Sequence, residues 1–390
     1  MDQQPSNLRG TDMPVPATPD DALAETAPSL AAQVNPVEAG ETISAAMANS
    51  THASAPVSVA LDSPEAGAPD STRGHFMRRI AWSLALIAAV VLFVVGQGVG
   101  ISMGVSFTGW AHTALHAQAG MSDAQLQALV HEGVALGLNS GTLAGQLVVC
   151  TGQLVAFAMI APVWTRMRRR AFVPCRARVW SRRDVVRIVG ALVVGGIGFQ
   201  FAMSPVLSVL SSVFVQTFEE YGALMQRAAG TAALVEFVSV VMLAPLLEEV
   251  ACRGVMLECG LRALLPWSKL HGPRGIAVSA RAFWAANALQ ALAFAIMHGN
   301  VVQSSYALVF GLALGWVCWR TGRLRYAVLL HMVVNASAYL LSAFELLTAE
   351  LLGPLALLLA LALIGIGCLA ASWRSLKPLL ASDAPGLMSR

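Results

Sequence analysis

Residues 235–261, VEFVSVVMLAPLLEEVACRGVMLECGL, have the composition of a membrane-spanning helix but carry two adjacent carboxylates, Glu248 and Glu249, near their middle. An ionised side chain at that depth costs at least ~2.5 kcal/mol even on a lenient insertion scale. The pair therefore predicts a functional site. Glu249 and Arg253 are four residues apart, so on a helix they can meet as an ion pair, while Glu248 points ~100° away and stays free.

The chain as a whole is strongly apolar. Of its 390 residues, 56% are hydrophobic and 12% are charged, and the mean hydropathy is +0.64. We therefore predict an all-α fold, a polytopic transmembrane bundle of about eight helices within residues 76–375. The fifth and sixth runs are short and separated only by HGNVVQS, which fits a tight hairpin or a partly re-entrant pair. The eight apolar runs are Ile80–Ser102, Leu143–Val163, Ile188–Phe214, Leu234–Leu257, Ala282–Met297, Ser305–Trp319, Tyr326–Phe344 and Leu351–Ser372.

The two ends of the chain differ from this apolar region. Residues 1–75 contain no Phe, Trp or Tyr, nine of the 18 prolines, and ten acidic residues against only Arg9 and Arg73. Such a segment cannot bury enough apolar surface to offset its ordering entropy. We predict a disordered acidic Pro/Ala-rich tail at residues 1–75 and a short tail at residues 376–390.

The basic residues indicate an orientation. Of the 25 Lys and Arg residues, 22 lie on alternate loops, so the positive-inside rule predicts that both termini are cytoplasmic. Nine of them lie between Arg166 and Arg187, and we interpret that cluster as a topology determinant against anionic lipid headgroups. The predicted partners are membrane lipids and a peptide or membrane-protein substrate, without nucleic acid; the oligomeric state stays open.

Other polar residues in the apolar runs suggest a reaction. His298 ends the fifth run, and His331 and Asn335 are four residues apart in the seventh. With Glu248 they supply a carboxylate base, an imidazole beside it, and donors for a developing oxyanion. Hydrolysis of a peptide by activated water requires that set.

Other chemistries fit the sequence less well. The only aspartates after residue 75 are Asp123, Asp184 and Asp383, in predicted loops or the tail, which excludes an intramembrane aspartyl dyad. HEGVA lacks the second His of a zincin motif, and no GxSxG occurs. A proton-coupled transporter would also place Glu and His inside helices, but we find no inverted repeat. A non-catalytic scaffold or immunity factor of the same fold is the remaining alternative.

Three motifs follow one another in the apolar region: EExxxR at Glu248–Arg253, FxxxH at Phe294–His298 and HxxxN at His331–Asn335. In this order they resemble the CPBP family of intramembrane proteases, which includes eukaryotic CAAX prenyl endopeptidases and bacterial Abi proteins. The resemblance covers a motif core at residues 234–340. It implies that the ion pair of Glu249 and Arg253 is structural and that Phe294 is a packing residue.

The resemblance also implies catalytic roles. Glu248 and His298 would activate a water, and His331 and Asn335 would stabilise the tetrahedral oxyanion. It implies an endopeptidase in a bacterial cytoplasmic membrane that matures a membrane-associated protein or peptide or acts in bacteriocin immunity. The family is often classed as metallopeptidase, and Glu248, His298 and His331 could instead be three ligands of a catalytic zinc. The sequence leaves both mechanisms open.

The depths of these residues do not match for straight helices. At ~1.5 Å per residue, Glu248 lies ~21 Å from Arg262 and His298 ~25 Å from Arg281, but His331 lies only ~9 Å from Arg325. Three explanations are open: the seventh helix starts deeper, the fourth and fifth extend into the cytoplasm, or a conical cavity spans the difference.

Overall fold

The computed structural model describes residues 72–169, 171–172, 179–228, 232–265, 278–348 and 351–381. Most of the predicted tails, residues 1–71 and 382–390, lie outside the described residues, whereas residues 72–75 and 376–381 are helical and extend the first and last helices. Ten helices and no strand occur in these ranges, which confirms the all-α prediction. They are α1 (Thr72–His116), α2 (Asp123–Leu138), α3 (Leu143–Arg168), α4 (Arg182–Val213), α5 (Val215–Ala228), α6 (residues 233–264), α7 (Ala280–Met297), α8 (Val301–Thr321), α9 (Leu324–Thr348) and α10 (Pro354–Ala381).

Seven of these helices are long and apolar enough to cross a membrane, namely α1, α3, α4, α7, α8, α9 and α10. The chain is therefore a multi-pass membrane protein. The remaining predicted run, the fourth, is α6, a continuous helix whose α-helical turns are interrupted by two π-helical segments, Val238–Leu243 and Val250–Met256. Every predicted run thus corresponds to a helix.

Two features differ from the sequence expectation. Helix α1 has 45 residues, so it continues beyond both ends of its apolar run; at ~1.5 Å per residue it is ~68 Å long. The short helices α2 and α5 were not among the predicted runs because their 16 and 14 residues are fewer than the ~20 of a membrane span. Ser122 and Gln125 form a capping box at the start of α2, which is a local signal that the apolar runs do not contain.

Small residues let α1 and α3 pack closely. Three glycines of α1, one turn apart, face three positions of α3, and a Cβ on any of them would lie within about 3 Å of the α3 backbone. This is the small-xxx-small packing that associates helices in membranes. The facing pairs are Gly96 with Ala156, Gly100 with Gly152, and Gly104 with Val148.

Helix α6 lies between two hydrophobic clusters. Leu247, Val250 and Val255 pack with residues of α1 and α3, whereas Leu257 and Leu261 pack with α4, α7, α8 and α9. Two arginines of α1 cap the last turn of α6. Arg78 donates to the Leu265 carbonyl (3.2 Å), and Arg79 donates to the Ala263 carbonyl (3.3 Å). These bonds supply donors for carbonyls that the end of a helix leaves unpaired.

Helices α7 and α8 form a tight hairpin, one of the two arrangements that the sequence left open. Only His298, Gly299 and Asn300 separate them. Gly299 has φ +71°, a left-handed conformation that favours glycine, and Asn300 caps α8 by accepting from the Gln303 N–H (2.8 Å). This turn fixes the position of His298.

Candidate functional site

The two acids are at the end of a short α-helical stretch, Ala244–Glu249, with a π-helical segment on each side. In these segments the N–H of residue i+5 donates to the carbonyl of residue i. The Ala244 N–H donates to the Ser239 carbonyl, and the Leu257 N–H donates to the Cys252 carbonyl. Such π-helical turns are frequent at functional sites because they displace side chains from the regular helical positions.

Glu249 and Arg253 are in contact, as their spacing predicts. Glu249 Oε1 lies 2.7 Å from Arg253 Nη1, and both side chains are fully buried. Arg253 also reaches α7 and α8: its Nη2 donates to the Gly311 carbonyl (3.0 Å), and its guanidinium carbon lies 4.6 Å from the centroid of the Phe294 ring. The ion pair therefore ties α6 to the α7–α8 hairpin.

His331 of α9 lies between the two acids. Its Nδ1 is 2.9 Å from Glu249 Oε1, and its Nε2 is 3.7 Å from Glu248 Oε2. A carboxylate oxygen only accepts, so Nδ1 carries the hydrogen and Nε2 faces Glu248. Glu249 thus holds both Arg253 and His331 through one oxygen. No sequence pattern predicted the contact between Glu249 and His331.

Burial separates the two carboxylates. The Glu249 side chain is 0% exposed, whereas that of Glu248 is 20% exposed. The separation of 3.7 Å between Glu248 and His331 exceeds a direct hydrogen bond, and at such distances a bridging water is to be considered. Glu248 is therefore the acid that solvent or a substrate can reach.

His298, at the end of α7, also contacts Phe294. Its Nδ1 is 2.8 Å from the Phe294 carbonyl oxygen, so Nδ1 donates and Nε2 remains open. The buried Phe294 ring meets both imidazoles edge-on, with centroid distances of 4.7 Å to His298 and 5.8 Å to His331. Within the described residues, no hydrogen bond or ion pair joins His298 to Glu248.

Asn335 lies one turn beyond His331 on α9. Its Nδ2 donates to the main-chain carbonyl of Val240 in α6 (2.8 Å). One hydrogen of this amide is therefore already in use, and the second remains for another acceptor.

The three candidate zinc ligands do not converge. Glu248 and His331 approach each other, but within the described residues no hydrogen bond or ion pair joins His298 to either of them. In the part of the chain that the structure describes, no group of three His, Cys, Asp or Glu side chains is spaced to hold one ion. As placed, these residues do not fit a three-ligand metal centre.

The start of α9 lies beside the middle of α6. Leu324, the first residue of α9, lines a cavity of about 290 Å³ together with Gly254 and Glu258 of α6. These α6 residues lie ~9–15 Å before the end of α6 at Leu264, and the step from Leu324 to His331 adds ~10 Å. The sum is comparable with the ~24 Å from Leu264 to Glu248. This arrangement fits two of the three explanations, namely a seventh helix that starts deeper and a fourth helix that extends into the cytoplasm.

Two amides that the sequence analysis did not single out support the site. Gln290 Nε2 donates to the Gly311 carbonyl (3.1 Å), which also accepts from Arg253, and to Asn287 Oδ1 (2.7 Å). Asn287 Nδ2 donates to the Leu312 carbonyl (3.0 Å). Their signal was present in ANALQAL, because amides three residues apart in an apolar helix share a face and need partners.

The fold and the site define a multi-pass membrane protein with a partly exposed carboxylate beside a carboxylate-held histidine. Residues 230–337 match the family model "Type II CAAX prenyl endopeptidase Rce1-like". The match runs from α6 to residue 337 of α9, contains all three motifs, and confirms the resemblance predicted from them. No curated protein and no solved structure matches the chain.

Proposed function

We propose that this protein is an intramembrane endopeptidase that hydrolyses a peptide bond in or near the membrane with a water activated by Glu248. The observation that carries the proposal is the contact chain in which His331 lies 3.7 Å from Glu248 and 2.9 Å from the buried Glu249. A carboxylate that solvent reaches, next to an imidazole of fixed tautomer, is the acid–base pair that water activation needs.

The reaction uses these groups in sequence. Glu248 takes a proton from the water as the water oxygen attacks the peptide carbonyl carbon. His331 Nε2 faces Glu248 and can share that proton, because Glu249 accepts from Nδ1 and supports the charged ring. When the tetrahedral intermediate collapses, the C–N bond breaks and the proton passes to the leaving amine. His298 Nε2 is open to bind the water or the substrate carbonyl, because His298 Nδ1 is the ring nitrogen that contacts the Phe294 carbonyl.

The proposed mechanism needs no metal. Among the described residues, His298, Glu248 and His331 are not spaced to hold one ion, which supports water activation by the side chains themselves. Asn335, one turn from His331, would use an amide N–H to stabilise the oxyanion. Removal of one such donor costs on the order of 10²–10³ in turnover in other hydrolases.

We also propose that both termini lie in the cytoplasm of a bacterial cell and that the protein acts in its cytoplasmic membrane. The support is the alternation of basic loops along the sequence, together with the two α1 arginines that cap the end of α6. The substrate would be a membrane-associated protein or peptide that is matured, or a bacteriocin.

The test compares cells that carry the intact protein, Glu248→Gln or Glu345→Gln. Glu345 is the matched control: a half-buried acid of α9 whose Oε1 accepts from Ser204 (3.2 Å), and which has no part in the proposed mechanism. We expect peptides released from membrane proteins with the intact protein and Glu345→Gln, and their loss with Glu248→Gln. Identical peptide profiles for all three, with Glu248→Gln folded, would favour a non-catalytic scaffold of the same fold.

A further inference from the structure

Helix α6 contains a main-chain carbonyl that its own helix cannot pair. In a regular α-helix the Val240 carbonyl would accept from the Ala244 N–H, but in this π-helical segment that N–H goes to Ser239. The next candidate, residue 245, is a proline and has no N–H. The combination of the π-helical turn and Pro245 therefore leaves the Val240 carbonyl without a partner in α6.

Asn335 supplies the missing hydrogen bond from the neighbouring helix. Its Nδ2 lies 2.8 Å from the Val240 oxygen. The pair is not sealed in the core, because Val240 is 41% exposed and Asn335 is only partly buried. A second molecule can therefore reach this hydrogen bond.

The carbonyl also lies at a useful distance from the acid–base pair. Val240 precedes Glu248 by eight residues, at most ~12 Å along the helix, and Asn335 follows His331 by one turn, ~6 Å. An extended peptide advances ~3.3 Å per residue. When the scissile carbonyl of a substrate lies beside Glu248, the N–H of a substrate residue two to four positions from the scissile bond would thus reach the Val240 carbonyl.

A peptide in such a site needs hydrogen-bond partners. Cleavage requires an accessible, extended main chain, and each unpaired N–H that it brings into an apolar surrounding costs several kcal/mol. We propose that the Val240 carbonyl is a binding subsite for a main-chain N–H of an extended peptide substrate, and that Asn335 occupies it until the substrate arrives. This inference rests on the proposed endopeptidase function.

The exchange keeps every group paired. In the free protein Asn335 donates to Val240; in the complex the substrate N–H donates to Val240 and the Asn335 amide turns to the developing oxyanion. Asn335 and the substrate therefore compete for one oxygen. Removal of the Asn335 amide should strengthen peptide binding while it slows cleavage, a combination that a purely structural Asn335 would not produce.

The experiment measures binding separately from cleavage. A leucine-rich peptide with a photo-crosslinking group is titrated against detergent-purified protein in the inactive Glu248→Gln background, and each amide of the peptide is N-methylated in turn. We expect N-methylation of one amide to weaken binding about three- to tenfold, the size of one net hydrogen bond. Adding Pro245→Ala restores an N–H that can pair with Val240, so the effect of that N-methyl group should disappear. Pro205→Ala, which removes a proline inside α4, is the matched control. In this variant the N-methyl group should weaken binding as it does without the substitution.

The second arm uses Asn335→Ala. We expect it to bind the unmodified peptide about three- to tenfold more tightly in the Glu248→Gln background, and to cut more slowly when Glu248 is intact. Weaker binding by Asn335→Ala, or an N-methyl profile that is the same with and without Pro245→Ala, overturns the inference. Failure of the proposed function has a different signature: a protein that binds no extended peptide, or whose peptide products persist in Glu248→Gln.

Discussion

Replacement of Arg253 by methionine tests whether the Glu249–Arg253 pair holds the core together. Arg253 is 1% exposed and is the cationic partner of a carboxylate that is 0% exposed. Arg253→Met keeps most of the side-chain volume and leaves Glu249 as a buried charge. We therefore expect the folded protein to become much less stable.

The loss of stability in Arg253→Met can be estimated from the groups that Arg253 contacts, namely the Glu249 carboxylate and the Gly311 carbonyl. Removal of one member of a buried ion pair costs ~3–5 kcal/mol. The Gly311 carbonyl adds little, because Gln290 still donates to it at 3.1 Å. Protonation of His331 would compensate Glu249 in part, so the lower value is the safer expectation. At ~1.4 kcal/mol for each factor of ten, the ratio of folded to unfolded protein should fall at least a hundredfold.

The double variant Glu249→Gln/Arg253→Met separates stability from catalysis. It removes both charges, and replacement of a whole buried pair is often neutral or stabilising. Its stability should return to near that of the intact protein. Its activity should stay low, because a neutral amide holds the His331 Nδ1–H less strongly than a carboxylate does.

Stability is measured as the thermal unfolding midpoint and the monodisperse yield in detergent, and activity as release of membrane peptides. Arg168→Met is the control: Arg168 is exposed and stacks 5.1 Å from the Trp164 ring centroid, so its loss should cost under ~1 kcal/mol. An Arg253→Met protein as stable as the intact one, or a double variant no more stable than Arg253→Met alone, would refute the reasoning.

Three further predictions address packing, the tail and metal. Gly315→Ala should lower the unfolding midpoint by several degrees, because its Cβ would clash with Asn287 Oδ1, whereas Gly367→Ala meets no atom within 4 Å and should leave the midpoint unchanged. Deletion of residues 1–70, which contain no aromatic side chain, should leave a membrane-inserted, active protein; loss of insertion in a fractionation assay would make the tail part of the fold. Purified protein should contain no stoichiometric zinc by elemental analysis and should keep its activity in chelator; one bound zinc that His298→Ala removes would reinstate the metal mechanism.

Much of the architecture could be predicted from the sequence because it depends on composition. The eight apolar runs became helices, and the spacing of Glu249 and Arg253 placed them in contact. The length of an apolar run is set by the thickness of the bilayer, and the spacing of the ion pair is set by one helical turn, so both can be read from a short stretch of sequence. A tight hairpin at Gly299 was one of the two alternatives that the sequence left open, the other being a partly re-entrant pair. The positive φ of Gly299 and the Asn300 cap of α8 form the hairpin in the structure.

The relations between helices could not be predicted in the same way. A periodicity of 3.6 residues does not reveal that the Val238–Leu243 segment is π-helical, nor that Asn335 closes the carbonyl that results. The contact of Glu249 with His331 joins residues 82 positions apart. No single-helix rule constrains such a pair, since it depends on how deep α9 begins.

The shared oxygen of Glu249 has a consequence for the charge of the site. Two carboxylates and one guanidinium give the cluster a net charge of −1 when the His331 ring is neutral, and one added proton brings it to zero. In a weakly polar surrounding, the neutral cluster has the smaller cost of charge burial. The proton released by the attacking water is that added proton. The site can therefore store one proton between Glu248 and His331 from the attack until the amine leaves, and the cluster is closest to electroneutrality at the stage when the intermediate is present.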